Sequence, residues 1–323
     1  MSSEAYTVAK NSAAWFEHPN VSILQVQGAD VLDLLQRMST NDVHSIPALT
    51  GKQTVVTTDK GRIVDVIAAI NMGEYFWWLP STGHLPEIVQ WFRKYIIMDD
   101  VRFMDVSDDW HSFEIIGPAA SQVVMQLNNH SPLISELFSV SEVFIEDVGC
   151  KVMRVPSVSD VSYQLFCPEG TAEKIRSFFT SLNTLPVISQ HEYEMLRIEK
   201  GVGKFPNELN VEHNPLEAGL LHLINFRKGC YIGQEVIARL DTYNKVKVRL
   251  VGITCGLLLP IDSNIFIDGV EYGKITSSIE SNTFGNISLG YIRQEFAVEG
   301  IKVTIKTPNE IVDANITLLP FTE

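Results

Sequence analysis

Cysteine is scarce in this sequence of 323 residues. The four present, Cys150, Cys167, Cys230 and Cys255, form no CxxC pair. The paired-cysteine signatures of zinc and iron–sulfur sites are therefore absent. The eight histidines show no HxxxH or HxH spacing, so no metal site is expected. There is no run of about 18 apolar residues to span a membrane. The opening MSSEAYTVAK lacks the basic region and apolar core of a signal peptide, so a cytoplasmic address is the default expectation. In that reducing compartment the thiols stay unpaired. Positive charge is also short: 25 Lys and Arg face 39 Asp and Glu, a net charge of −14. Such a chain does not present a whole surface built to grip nucleic acid.

What is present is the composition of a globular protein, 45% apolar and 20% charged. The length is too great for one small core, so two or three lobes are expected. Residues 1–20 are polar and mixed, with a short helix expected around Ala13–Phe16. A strand-then-helix unit then occurs four times. VSILQVQG precedes the stripe Val31, Leu34, Leu35, Met38, and EYFWWLP precedes Leu85, Ile88, Val89, Phe92. HSFEIIGP precedes Ala120, Val123, Val124, Leu127, and SYQLFCP precedes Ala172, Ile175, Phe179, Leu182. Each stripe follows the period of an amphipathic helix. The irregular spacing excludes a solenoid and predicts two α+β lobes, each an antiparallel sheet with helices on one face. Further strands fit between: TVVTTDKGRIVDVIAAI as a hairpin turning at Asp59–Gly61, and VGCKVMRVP. Trp77, Trp78 and Trp91 read as core.

Residues 188–200 predict a helix ended by Gly201 and Gly203. Loop residues dominate from there to Gly233, and so long an irregular segment is usually functional. Short β-rich runs follow from about Thr242, with a hairpin signal at Asp268–Gly269, and predict a small antiparallel barrel or sandwich. The fold class is thus α+β, with residues 1–241 forming the two lobes, discontinuous or not, and 242–323 a β-domain.

Within the long loop, KGCYIGQEVIAR (228–239) gathers a lysine, a thiol and two glycines in six residues. Gly229 and Gly233 give the backbone freedom to hold Cys230 at a surface. A nearby ammonium, Lys228, would favour the thiolate; a small buried thiol beside a snorkelling lysine is the plainer reading. Val236 and Ile237 start a short strand or helix, and in a helix Glu235 and Arg239 stand at pairing distance. Residues 225–249 carry six basic and two acidic side chains, suited either to an anionic ligand or to a protected strand edge.

KGCYIGQE closely resembles the signature of the YgfZ-type folate-binding proteins, relatives of the glycine-cleavage T-protein, an aminomethyltransferase. The likeness continues through residues 196–220 and 249–253, and more weakly through residues near 60 and 116. It implies lobes and a C-terminal barrel arranged around a central site for tetrahydrofolate or another reduced folate. It implies an accessory role in assembly or repair of iron–sulfur enzymes, including those that modify tRNA, with iron–sulfur proteins or cluster carriers as partners. The alternative is a transferase-like enzyme, an aminomethyltransferase or other one-carbon transferase. The implied catalytic pair is Cys230 and Lys228. The implied folate-binding set is Asp65, Asp160, Glu217, Arg227, Gly229, Tyr231, Gly233, Gln234, Glu235 and Arg239. T-proteins carry Gly-x-Ile/Val-x-Asp-Asp where this chain has Gly61-Arg62-Ile63-Val64-Asp65-Val66, so only the first acid survives. Their Asn after the next strand is replaced by Pro80, and Asp160 fills a further acid slot before SYQLF. Read from the residues alone, Asp65 is equally a strand-end acid making a turn.

Overall fold

A computed structural model describes residues 4–127, 136–308 and 310–322. In chain order the helices are α1 (Glu4–Asn11), α2 (Val31–Met38), α3 (Leu85–Arg93), α4 (Ala120–Leu127), α5 (Ala172–Ser181), α6 (Gln190–Lys200) and α7 (Gln234–Thr242). The first lobe's strands are β2 (Leu24–Gln27), β3 (Gly51–Thr57), β4 (Ile63–Asn71), β5 (Phe76–Leu79) and β6 (Arg102–Asp105), in the order β3-β4-β5-β2-β6. The second lobe's are β1 (Ala14–His18), β7 (Trp110–Ile116), β8 (Val140–Ile145), β9 (Val148–Arg154) and β10 (Ser162–Pro168), in the order β1-β7-β10-β9-β8. Its first strand therefore comes from the other side of the first lobe in sequence. All four expected strand-then-helix units are present.

Each sheet packs helices on one face. In the first lobe, α2 and α3 cover Leu24, Val26 and Trp78. In the second, α4 and α5 cover Phe113, Ile115 and Leu165. The opposite faces meet each other through Ile70, Trp77, Met153 and Phe166. Sheets buried on both faces explain one departure from expectation. The region of Ala13–Phe16 is not a helix: β1 starts at Ala14, and the helix lies earlier, at Glu4–Asn11. Trp15 points to Phe113 and Phe179, while Phe16 stacks on Tyr193 at 4.2 Å. Successive large aromatics that both find cover suit a strand, and hide its period of two.

The β-domain comprises β11 (Val248–Cys255), β12 (Asn264–Ile267), β13 (Val270–Ser281), β14 (Gly285–Arg293), β15 (Lys302–Lys306) and β16 (Ile311–Thr317). It is a closed barrel in the order β11-β14-β13-β12-β15-β16, which leaves no free edge. Its interior holds Ile253, Ile275, Ile292 and Ile305. Its outer wall packs on α6, where buried Arg197 reaches Glu208 at 3.3 Å and Ser277 at 2.9 Å. Ser189 and Glu192 form a capping box at the start of α6, and Gly201 ends it with φ 72°. No helix among the described residues is long and apolar enough to cross a membrane.

Candidate functional site

A cavity runs between the inner sheet faces, α6 and the barrel. It has three stretches, and Gln53, Pro156 and Ser157 line all of them. The inner stretch, about 220 Å³, is walled by His18, Asn20, Glu114, Gln164 and Tyr193. The middle one is about 490 Å³ and includes Val66, Ser81 and Gly203. The outer one, about 400 Å³, reaches Lys200, His222 and Arg249. These sizes are those of small-molecule sites. A larger, more open cleft of about 1050 Å³ lies against α6 and the barrel and shares Gln190, Glu194, Arg197 and Lys204 with the middle stretch.

The inner end is built around Glu114, in the middle of β7 and 2% exposed. His18 Nε2 and Tyr193 Oη both donate to its Oε2, each at 2.9 Å. Ser157 Oγ lies 3.1 Å from Tyr193 Oη. The tyrosine proton goes to the carboxylate, so Ser157 donates to the tyrosine. Burial alone would raise the Glu114 carboxyl, but the bonds from His18 and Tyr193, with the Ser157 hydroxyl beside them, prevail and hold it below its ordinary value. Glu114 Oε1 is buried and has no hydrogen-bond partner among the described residues. Sequence reasoning missed this residue. The signal was a lone acid in the apolar strand SFEII.

The acids named from sequence lie elsewhere. Asp65 is fully buried and lines none of these stretches. It accepts from Ser81 N at 3.1 Å, Ser81 Oγ at 2.6 Å and His84 Nδ1 at 3.2 Å, and so pins the turn between β5 and α3. The next residue, Val66, forms the cavity wall. Asp160 is exposed and pairs with Lys200 at the surface, outside these stretches. Glu217 is buried and takes Asn214 N at 3.0 Å and Arg62 Nη1 at 3.2 Å. Burial raises its carboxyl above the ordinary value against the pull of those donors. It orders the long loop rather than facing the cavity.

The motif docks on the first lobe. Lys228 Nζ donates to the carbonyls of Gln36, Ser39 and Asn41, at 2.9, 2.7 and 2.6 Å, capping the C-terminal end of α2. Its three protons are thereby used, leaving none to bond the Cys230 thiolate. Burial pulls its ammonium down to about 8. Tyr231 packs under the loop with Ile224 and Ile237. Ile232 N donates to Arg37 O at 2.9 Å, and its carbonyl accepts from Thr57 Oγ1 at 2.6 Å. Gly233 has φ 86°, and a Cβ there would lie 2.4 Å from Thr58 O. Only glycine fits this position. It opens α7, so the segment after it is helical. Cys230 is exposed, as are Arg227, Gly229, Glu235 and Arg239, while Gln234 is half-buried. Glu235 and Arg239 form no ion pair among the described residues. None of residues 227–239 lines the cavity; of the basic stretch only Arg249 does. Among the described residues, no three His, Cys, Asp or Glu side chains gather into a metal-holding group.

Residues 1–228 match the family model described as the GCVT N-terminal domain, and residues 249–323 match the glycine cleavage T-protein C-terminal barrel domain. The chain belongs to the glycine-cleavage T-protein family. A chloroplastic protein of Arabidopsis thaliana, provisionally named a transferase, is 30% identical over 94% of this chain and 70% of its own length. An aminomethyltransferase of Geobacillus kaustophilus is 26% identical over 98% of this chain and 89% of its own. The crystal structure of the glycine cleavage system aminomethyltransferase T from Bartonella henselae superposes with a TM-score of 0.85 at 16% identity, covering 99% of this chain and 89% of that one. The T-protein fold is thus present from end to end. Against the T-protein pattern, the paired acids of β4 are reduced to one that faces away from the cavity, with Val66 in the wall.

Proposed function

We propose that this T-protein relative is of the YgfZ type. It holds tetrahydrofolate in the central cavity and serves as a cytoplasmic accessory protein for assembly or repair of iron–sulfur enzymes, including those that modify tRNA. The observation that carries the reading is a cavity of small-molecule size whose wall has Val66 where the T-protein pattern places an acid. Folate is a fused heterocycle with donor groups on one edge and an anionic glutamate tail. The inner acid and the outer Lys200 and Arg249 suit those two ends. Cys230 lies off the cavity on a loop anchored by Lys228 and Ile232, which fits a thiol meant for a protein or cluster partner rather than for the folate.

The test is calorimetry with tetrahydrofolate, joined to an assay for methylene transfer to it from an aminomethyl donor. Binding without turnover is expected. Turnover would move the chain to the second reading, a folate-dependent aminomethyltransferase or other one-carbon transferase, with which the names of its relatives are compatible. Absence of both heat and thermal shift at millimolar ligand would remove the folate assignment. In cells, Cys230→Ser should lower the activity of a cluster-dependent tRNA-modifying enzyme as deletion does.

A further inference from the structure

The bare oxygen of Glu114 has a consequence for how a ligand lies in the cavity. A carboxylate has about four lone-pair sites, and Glu114 spends two of them, both on Oε2. Buried polar atoms in native proteins are nearly all paired. An unpaired carboxylate oxygen on a side chain that lines a cavity is therefore a receptor for a donor that arrives with the ligand. The neighbours fix its orientation: His18 and Tyr193 hold Oε2 from two sides, and Phe16 stacks on Tyr193 behind them. Because Glu114 is held in its ionised form, it accepts and cannot donate.

Resting on the folate reading, we propose that Glu114 is the ring anchor of this cavity. It accepts an N–H from the 2-amino-4-oxopyrimidine edge of a pterin, the role that the acid slot at Asp160 does not fill here. The ring then lies at the inner end beside Gln53 and Gln164, and the anionic tail points outward along Ser157 to Lys200 and Arg249. Asp160 is turned to solvent and committed to Lys200, so it makes no contact with the ring.

The experiment is calorimetry on the full chain and two variants, Glu114→Gln and Asp160→Asn, with tetrahydrofolate and its 2-desamino analogue. Gln can keep an oxygen toward His18 and Tyr193 but places an amide N–H2 where Oε1 was. The expected result is a loss of about 10- to 100-fold in tetrahydrofolate affinity for Glu114→Gln, with an unchanged melting temperature. Asp160→Asn should stay within about twofold. The native chain should reject the desamino analogue by a similar factor, and Glu114→Gln should no longer discriminate. An equal loss for both ligands would assign Glu114 a structural role and overturn the proposal. So would unchanged affinity in Glu114→Gln, or a loss carried by Asp160→Asn; in both cases the folate reading stands. Guanosine and tetrahydrobiopterin share the same ring edge. If either binds in a Glu114-dependent way while tetrahydrofolate does not, the anchor stands and the folate reading falls. If none of the three binds, both fall.

Discussion

Two regions of this molecule bury polar groups, and they treat them oppositely. In the loop from Leu223 to Gly233 the polar groups that dock it on the first lobe are spent. Lys228 gives three protons to three carbonyls, Thr40 bonds the Leu223 carbonyl at 2.7 Å, and Asn225 N returns to Thr40 O at 3.0 Å. At the inner end of the cavity one carboxylate oxygen is left over. Saturated polar contacts hold structure, whereas a spare acceptor on a side chain that lines a cavity is free to receive a ligand's donor. The motif that stands out most in the sequence is thus mainly a clasp, with one exposed thiol. The cavity is assembled from inconspicuous residues far apart in the chain.

The sharpest break of this comparison would come from the clasp. Gly233→Ala should cost about 3 kcal/mol, because it forces a side chain into left-handed backbone against Thr58 O. Lys228→Met should cost a similar amount, since three buried carbonyls lose their donor. Urea unfolding midpoints measure both. A Lys228→Met protein with its midpoint unchanged would mean that the lysine is not structural.

A smaller effect belongs to the loop that joins the two regions. His213 stacks on Tyr291 of the barrel at 3.4 Å, and burial, then the charge of Arg62, pulls its imidazole down to about 4. The unfolded chain therefore binds the proton first as pH falls from about 6.5. Stability is full above that pH and is lost progressively as pH falls to about 4. The expected loss is about 2 kcal/mol, less than the full shift because His213 keeps some contact with solvent. His213→Asn should flatten this limb of a stability-against-pH curve, and an unaltered limb would assign it to other groups.

Much of this fold was legible. The four amphipathic stripes and the short C-terminal strands carry periods of 3.6 and 2 that survive any tertiary context. β1 carries no such period because it is buried on both faces. The site was harder. Asp65 and Asp160 were placed by motif, but the side on which an acid points is settled by bulges and pairings that a motif does not encode; β3 and β4 shift register at Val56/Thr57, next to Asp65. Glu114 belongs to no motif at all. Its meaning comes from His18 and Tyr193, 96 and 79 residues away.

The cysteines sharpen the comparison further. Burial pushes Cys150 to about 12 and Cys167 to about 11, whereas Cys230 is exposed. Iodoacetamide on the native protein should label Cys230 promptly and leave Cys150 and Cys167 until unfolding, as read by mass spectrometry. Cys230→Ser should change stability by no more than about 0.5 kcal/mol. A larger loss would make the thiol part of the clasp. The smallest effect is at the cavity mouth. Arg249→Ala should weaken polyglutamylated tetrahydrofolate by roughly two- to fivefold, with little change for the monoglutamate, and added salt should erase the difference. Equal weakening of both forms would place Arg249 against the ring end instead.

The clasp also bears on how the chain assembles during synthesis. The end of α2, at residues 36–41, receives its cap from Lys228, nearly two hundred residues later. The hairpin turn at Thr58–Gly61 likewise waits for Gly233. β1 waits as well, for β7 at 110–116. A ribosome releasing this protein from the N-terminus therefore exposes a first lobe whose α2 end and hairpin turn stay uncovered through most of translation. The clasp closes over them only when the loop emerges, just before the barrel. Long-range contacts of this kind slow folding and lengthen the time that apolar faces are bare. Stalling synthesis between residues 200 and 240 should locate the point at which the nascent first lobe becomes resistant to protease.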